Sequence, residues 1–232
     1  YINNVAGFFP NFEFVRALKK ALETDDGTIF RYSNHENTIL NAIYNQLNES
    51  EEKDKDELID FIESISHSTG KSATKWKGKR DMIDLWLIAK NFYFNPLTKG
   101  SNSLKDLLPS ALNKSAYLQY KYAKPLKDLS ISSKNFGGNH VWLDINEGEV
   151  VNPYKKLPPV FDNWTEEEIE KSISDITNIN EGGAALTAYG KLQYTNMNQD
   201  EIEEITTSLL KYCELDTLAM VMLYEHFKEL IN

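Results

Sequence analysis

A helix-rich α/β fold is what the order of periodicities along this chain predicts. Apolar residues recur at steps of three and four in several stretches, the C-terminal one running from Ser208 to Phe227. Two β-rich runs, Thr28–Tyr32 and the start of Met82–Ala89, each lead straight into a helical pattern. In α/β folds, sites gather at the carboxyl ends of strands, so these corners draw the eye first. The 232 residues supply ample core for one domain over 1–232.

Residues 1–10 read as a loop. Asn11 is placed to cap a helix whose Phe12, Val15, Leu18, Ala21 and Leu22 share one apolar face, and Asp25-Asp26-Gly27 stops it with a turn. After the first β-rich run, Ser33-Asn34-His35-Glu36 opens a second helix carrying Ile39, Leu40, Ile43, Tyr44 and Leu47, which sets a strand-to-helix corner at 33–36. Glu49–Glu57 is a charge run, read as an exposed linker or a first helical turn, and Leu58–Ile65 is a further amphipathic helix. Next comes Lys71–Arg80, the one basic cluster expected in an acidic chain, with Lys75, Lys77, Lys79 and Arg80 around Trp76. It suits a phosphate backbone with a stacked base, and equally a loop balancing nearby acids.

Met82–Ala89 begins as a strand and continues as a helix to Phe94, which Asn95-Pro96 ends before Gly100 turns the chain. Ser103–Leu108 is a short helix that Pro109 interrupts. Residues 113–163, rich in Asn, Pro, Gly and Tyr, read as an insertion holding a hairpin of Val141–Asp144 and Glu149–Val151, with Asp144 facing solvent. Asn163 or Thr165 caps an acidic first turn, Glu166–Glu168. Beyond Gly182-Gly183, a helix presents the small residues Ala184, Ala185 and Ala188 beside Tyr189. Asn198 or Asp200 then starts the closing helix. Its stripe takes in Leu209, Cys213, Met220, Leu223 and Phe227, with Asp216 inside it and Tyr212 one turn earlier. A carboxylate on an inward face needs a cation, a set of donors or a metal.

Composition narrows the classes. The formal charge of −10 argues against a general nucleic-acid coat protein, because backbone binding draws on clustered Lys and Arg. It leaves a nuclease open, since such enzymes concentrate carboxylates at the cut and bridge them to phosphate with divalent cations. The longest apolar run, Leu218–Tyr224, is far too short to cross a bilayer, so no membrane association is expected. One cysteine forms no internal disulfide, which makes a cytoplasmic location the expectation.

The pattern Leu209-x-x-Tyr212-Cys213-x-x-Asp216 resembles the last motif of the DEDD, or DnaQ-like, 3′–5′ exonucleases in their tyrosine-bearing subgroup. Together with Gly100-Ser-Asn-Ser103-Leu-Lys-Asp-Leu-Leu-Pro109 and Asn152-Pro-Tyr-Lys-Lys-Leu-Pro-Pro159, it resembles a bacterial family, domain of unknown function 2779, related to those nucleases. The resemblance implies a ribonuclease H-like fold. It also implies metal-dependent hydrolysis of DNA or RNA, with Asp216 binding Mg²⁺ or Mn²⁺ and Tyr212 orienting the attacking water. Tyr32-Ser-Asn34-His35-Glu36-Asn-Thr-Ile-Leu40 resembles the second motif of those enzymes, with Glu36 as its acid and a second metal ligand. Lys105 falls beside the implied cleft, and Asp84 resembles a strand-end Asp that helps position structure without binding metal.

One departure stands out. The Asp-x-Glu of the first strand in those nucleases has no counterpart between Tyr1 and Ser33, so the fold is expected to lack one or more N-terminal strands here. The duller alternatives are that Glu36 is only a helix-start acid, Tyr212 a core tyrosine and Cys213 inert packing. Four scattered histidines show no zinc spacing. The competing class is a nucleic-acid- or protein-binding module that keeps the fold without chemistry.

Overall fold

The computed structural model describes residues 1–70, 72–157 and 182–231. It is a helix-rich α/β structure with two small sheets, and its residues group into two compact units. The first unit comprises Tyr1, Phe9–Ser110 and Met220–Asn232; the second comprises Ile2–Phe8 and Ala111–Ala219. The expected cap and acidic turn at Asn163, Thr165 and Glu166–Glu168 lie outside the described residues, as does Lys71.

In the first unit, α1 (Asn11–Leu22), α2 (His35–Asn48) and α3 (Lys55–Ile65) enclose an apolar core. Val15, Leu40, Ile43, Leu47, Leu58, Ile62 and Ile65 are among its buried members. Asn11 is the first helical residue of α1 and not its cap; Pro10 precedes it, and the Asn11 amide donates to Gln46 Oε1 at 2.8 Å. Ala21 and Ile39, expected inside, are exposed because the helices meet on a narrower stripe than the sequence suggested. The charge run does more than link helices. Arg16 on α1 forks onto Asp54, with Nε at 2.7 Å and Nη2 at 2.6 Å, and also pairs with Glu52 and Glu13. Bidentate geometry makes this the best-formed ion pair of the unit, and Arg16 holds the Asp54 carboxyl below its ordinary range.

Two two-residue strands pair in parallel, β1 (Phe30–Arg31) with β2 (Ile83–Asp84), in the register Phe30 to Ile83 and Arg31 to Asp84. Two helices, α2 and α3, lie between them in the chain, as a parallel crossover requires. β2 runs directly into α4 (Leu85–Phe92), and Asp84 caps it by accepting from Trp86 N and Leu87 N. Asp84 therefore has the positioning role expected of it.

α5 (Leu104–Lys114) passes straight through Pro109, against expectation. Proline carries no N–H to return to the carbonyl four residues back, yet Leu107, Leu108, Ala111 and Leu112 are buried on both sides of it, and that burial outweighs the lost bond. α6 (Ala116–Tyr122), capped by Ser115 Oγ on Leu118 N, was not foreseen. The hairpin has its second strand where expected, but its first strand lies later. β3 (Ile145–Asn146) pairs antiparallel with β4 (Glu149–Val150) across Glu147-Gly148, both at positive φ, as a two-residue turn of this kind demands. Trp142 and Leu143, placed on a strand by the alternation, are instead buried loop residues, while Asp144 is exposed as expected.

α7 (Gly182–Tyr194) and α8 (Gln199–Ile231) follow. Within the second unit Ala188, Leu192, Ile205 and Leu209 form a small core. Asn198 and Glu201 close the start of α8 reciprocally: Asn198 Oδ1 accepts from Glu201 N at 3.0 Å, and Glu201 Oε2 accepts from Asn198 N at 2.9 Å. Among the described residues, no helix is long and apolar enough to cross a membrane.

Candidate active site

The long helix buries a stripe that overlaps the expected one only in part, with Leu209 and Leu223 buried as expected. Leu215, Leu218, Ala219, Met222, Leu223 and His226 are inside, whereas Cys213 is exposed and Met220 and Phe227 are only half-buried. Asp216 and Tyr212 stand at the flank of the buried stripe, both half-buried. The misreading arose because leucines and methionines occur on more than one side of this helix, so periodicity alone allowed a rotated stripe.

Asp216 is engaged where it stands. The Tyr154 hydroxyl donates to its Oδ1 at 2.6 Å, and the Tyr154 and Tyr212 rings lie 6.3 Å apart at 55°. Tyr154 sits on the 3-10 turn Pro153–Lys156, which is fastened at both ends. Asn152 Oδ1 accepts from Tyr154 N at 3.1 Å, and Lys156 Nζ donates to Val141 O at 2.7 Å and meets Asp144 at 2.9 Å. Two residues before Asp216, Glu214 binds Ser133 Oγ, Asn135 N at 3.1 Å and Asn135 Nδ2 at 2.5 Å, pinning the loop that carries Phe136. Tyr212 and Asp216 on α8 thus form a tyrosine–carboxylate–tyrosine cluster with Tyr154 on the turn, and Glu214 ties a second loop to the same helix. Sequence reasoning quoted Tyr154 within a motif but gave it no role; its signal was a tyrosine between Asn-Pro and Lys-Lys, which forecasts a turn and not a partner.

Glu36 belongs to the first unit, in the first turn of α2. The corner leading to it is built on a buried ion pair, Arg31 Nη1 to Asp84 Oδ2 at 3.4 Å, with side chains 6% and 7% exposed. Arg31 Nη1 also donates to Ser33 O at 2.6 Å and Asn34 Oδ1 at 3.0 Å, while Asp84 Oδ1 accepts from Ser33 N at 2.9 Å. These bonds hold Ser33 at φ +73°, a left-handed conformation that a serine adopts only under such constraint. Immediately after it, Glu36 Oε2 is buried and makes no hydrogen bond. His35 is exposed.

The basic cluster is largely tied into the fold. Trp76 stacks on Tyr44 with centroids 4.6 Å apart and donates Nε1 to Ser66 Oγ at 3.1 Å. Lys75 Nζ donates to Thr69 O at 2.8 Å, and Arg80 donates to Leu22 O and Gly27 O. Lys77 and Lys79 are exposed, and Lys105 is half-buried on α5. It is not the chain's one basic stretch, since residues 113–127 hold four lysines and no acid.

Among the described residues, no three His, Cys, Asp or Glu side chains gather as a metal-binding group. The donor chemistry still suits a hard cation at Glu36, whose buried oxygen lacks a partner, and at Asp216, an acceptor in a polar setting.

Residues 1–103 match the family model described as domain of unknown function 2779. The match supports that family over the first unit's β1–α2 corner, Glu36 and the basic cluster; Tyr154, Tyr212 and Asp216 lie beyond it. Comparison with curated proteins and with solved structures returned no match.

Proposed function

We propose that the protein is a metal-dependent 3′–5′ exonuclease-like phosphodiesterase of ribonuclease H-like, DnaQ-like type, acting on DNA or RNA. The observation that carries this reading is the Tyr212–Asp216 pair, one turn apart on α8, with the Tyr154 hydroxyl at 2.6 Å setting the carboxylate's orientation. From the resemblance we assign a cation-ligand role, for Mg²⁺ or Mn²⁺, to Glu36 in the first unit and to Asp216 in the second. When bound, such a cation activates water and stabilises the charge that builds on phosphate. Tyr212 orients the attacking water, and Tyr154 holds Asp216 in the rotamer its role requires. The buried, unbonded Oε2 of Glu36 supports the assignment, because a carboxylate oxygen without donors is stabilised by a cation.

One observation favours a second reading, a binding module without chemistry: the Tyr154 hydroxyl already occupies Asp216 Oδ1 at 2.6 Å, a bond that serves packing without any metal. The two readings separate in one experiment. A 5′-labelled oligonucleotide incubated with the protein and Mn²⁺ or Mg²⁺ should shorten from its 3′ end, stop with EDTA, and stay intact with Asp216→Asn. Metal that neither supports shortening nor raises the melting temperature would leave the module.

A further inference from the structure

Beyond the basic cluster of the first unit, α6 carries a different arrangement of the same chemistry. Tyr117, Tyr120 and Lys121 stand at helical spacing on one face of α6, with Lys114 ending the helix before it and Lys124 just past its end. The opposite face is buried through Leu118 and Tyr122. Tyr120 is 71% exposed and Tyr117 48%, an unusual outlay for tyrosines that could have been buried. Lys124 Nζ is 3.7 Å from the Tyr120 centroid, and Lys121 Nζ lies 5.0 Å from that of Tyr122 and 5.8 Å from that of Tyr117. Asp128 is the first acid after this stretch.

We infer that this Lys/Tyr face of α6 is a binding surface for single-stranded nucleic acid. The lysines supply the counterion-releasing contacts that a phosphate backbone draws on, in a chain whose total charge of −10 would otherwise repel it. The exposed rings supply platforms for bases. Two features select a single strand. Stacking on a tyrosine requires an open base face, which a duplex lacks. The rings also project from positions three apart on a helix, about 5–6 Å between Cβ atoms, wider than the roughly 3.4 Å rise between stacked bases. Unstacked nucleotides meet that spacing, and a helical stack does not. Trp76 is half-buried and stacked on Tyr44, so it presents less open ring than Tyr120.

This inference extends the nuclease reading but is tested without it, in EDTA, so loss of one does not imply loss of the other. Fluorescence anisotropy with a labelled oligo-dT should show binding that weakens as salt rises. Tyr120→Ala should weaken it roughly five- to 150-fold, whereas Tyr120→Phe should stay near the parent. Lys124→Ala should reduce the salt slope by about 0.7, the share of one phosphate contact on a single strand. Tyr117 and Tyr120 are exposed and Lys124 is half-buried, and circular dichroism would verify unchanged folding. The inference is overturned if Tyr117→Ala/Tyr120→Ala binds within twofold of the parent, if a duplex of the same length binds as tightly, or if anionic vesicles bind while the oligonucleotide does not.

Discussion

Asp84 illustrates how one side chain fixes a corner. Its Oδ1 accepts from Ser33, Trp86 and Leu87 backbone N–H groups, and its Oδ2 faces Arg31 inside the protein. Removing the carboxylate leaves a buried guanidinium without its counter-charge, the situation in which breaking an ion pair is most damaging. Asp84→Ala should therefore lower unfolding free energy by about 3–5 kcal/mol, read from urea midpoints; a loss below about 1 kcal/mol would contradict the pair's role. Gly78 makes the same point through space. A Cβ there would meet Ser64 O at 2.3 Å and Glu63 O at 2.4 Å, both backbone atoms, where Gly78 N donates to Ser66 O at 2.8 Å. Gly78→Ala should separate the 64–68 and 76–80 segments and destabilise the first unit, seen as faster amide exchange in α3. Unchanged exchange would show that the backbone there yields.

At the scale of elements, what was legible depended on whether one local signal spoke alone. α2 and α3 were readable because Leu40, Ile43 and Leu47, and Leu58, Ile62 and Ile65, repeat with little apolar competition elsewhere on the helix. α8 was located by its Asn198 start, and Leu209 and Leu223 of its expected stripe are buried, but Cys213 and Met220 mimicked core positions that belong to Leu215, Leu218 and Met222. Glu36 and Asp216 were singled out by motif, each in its own unit, whereas Tyr154 was invisible because its bond to Asp216 spans 62 residues. Pro109 was read as a break because propensity was weighed without the burial on either side of it. That competition is measurable. Pro109→Ala restores a helical N–H at the cost of a freer unfolded chain, and the helix term, up to about 3 kcal/mol, is the larger one. The variant should be more stable by about 1–2 kcal/mol; a destabilised variant would mean that the proline ring itself fills a needed space.

Across the whole molecule, two histidines couple folding to pH. His226, in the first unit, is buried, and that burial lowers its pKa against the opposing pull of Glu229. The Tyr93 hydroxyl bonds its Nε2 at 3.1 Å, and Asn95 Nδ2 in turn donates to that hydroxyl at 3.2 Å. His140, in the second unit, is lowered first by burial and then by Lys156, with its ring 4.2 Å from Phe136 and 4.6 Å from Trp142. Both depressions favour the neutral ring in the folded state, so the unfolded chain binds protons more readily once pH falls below the ordinary value of 6.5. Stability should be full above that pH and decline as pH drops toward the lowered folded values, before most carboxylates begin to titrate. Urea midpoints measured between about pH 7.5 and about pH 5.5 should fall. His226→Gln should flatten part of that fall, even though a buried substitution lowers the midpoint at every pH, because the slope counts protons and not contacts. A slope identical in His226→Gln, His140→Gln and the parent would mean that neither ring takes up a proton on unfolding in this range.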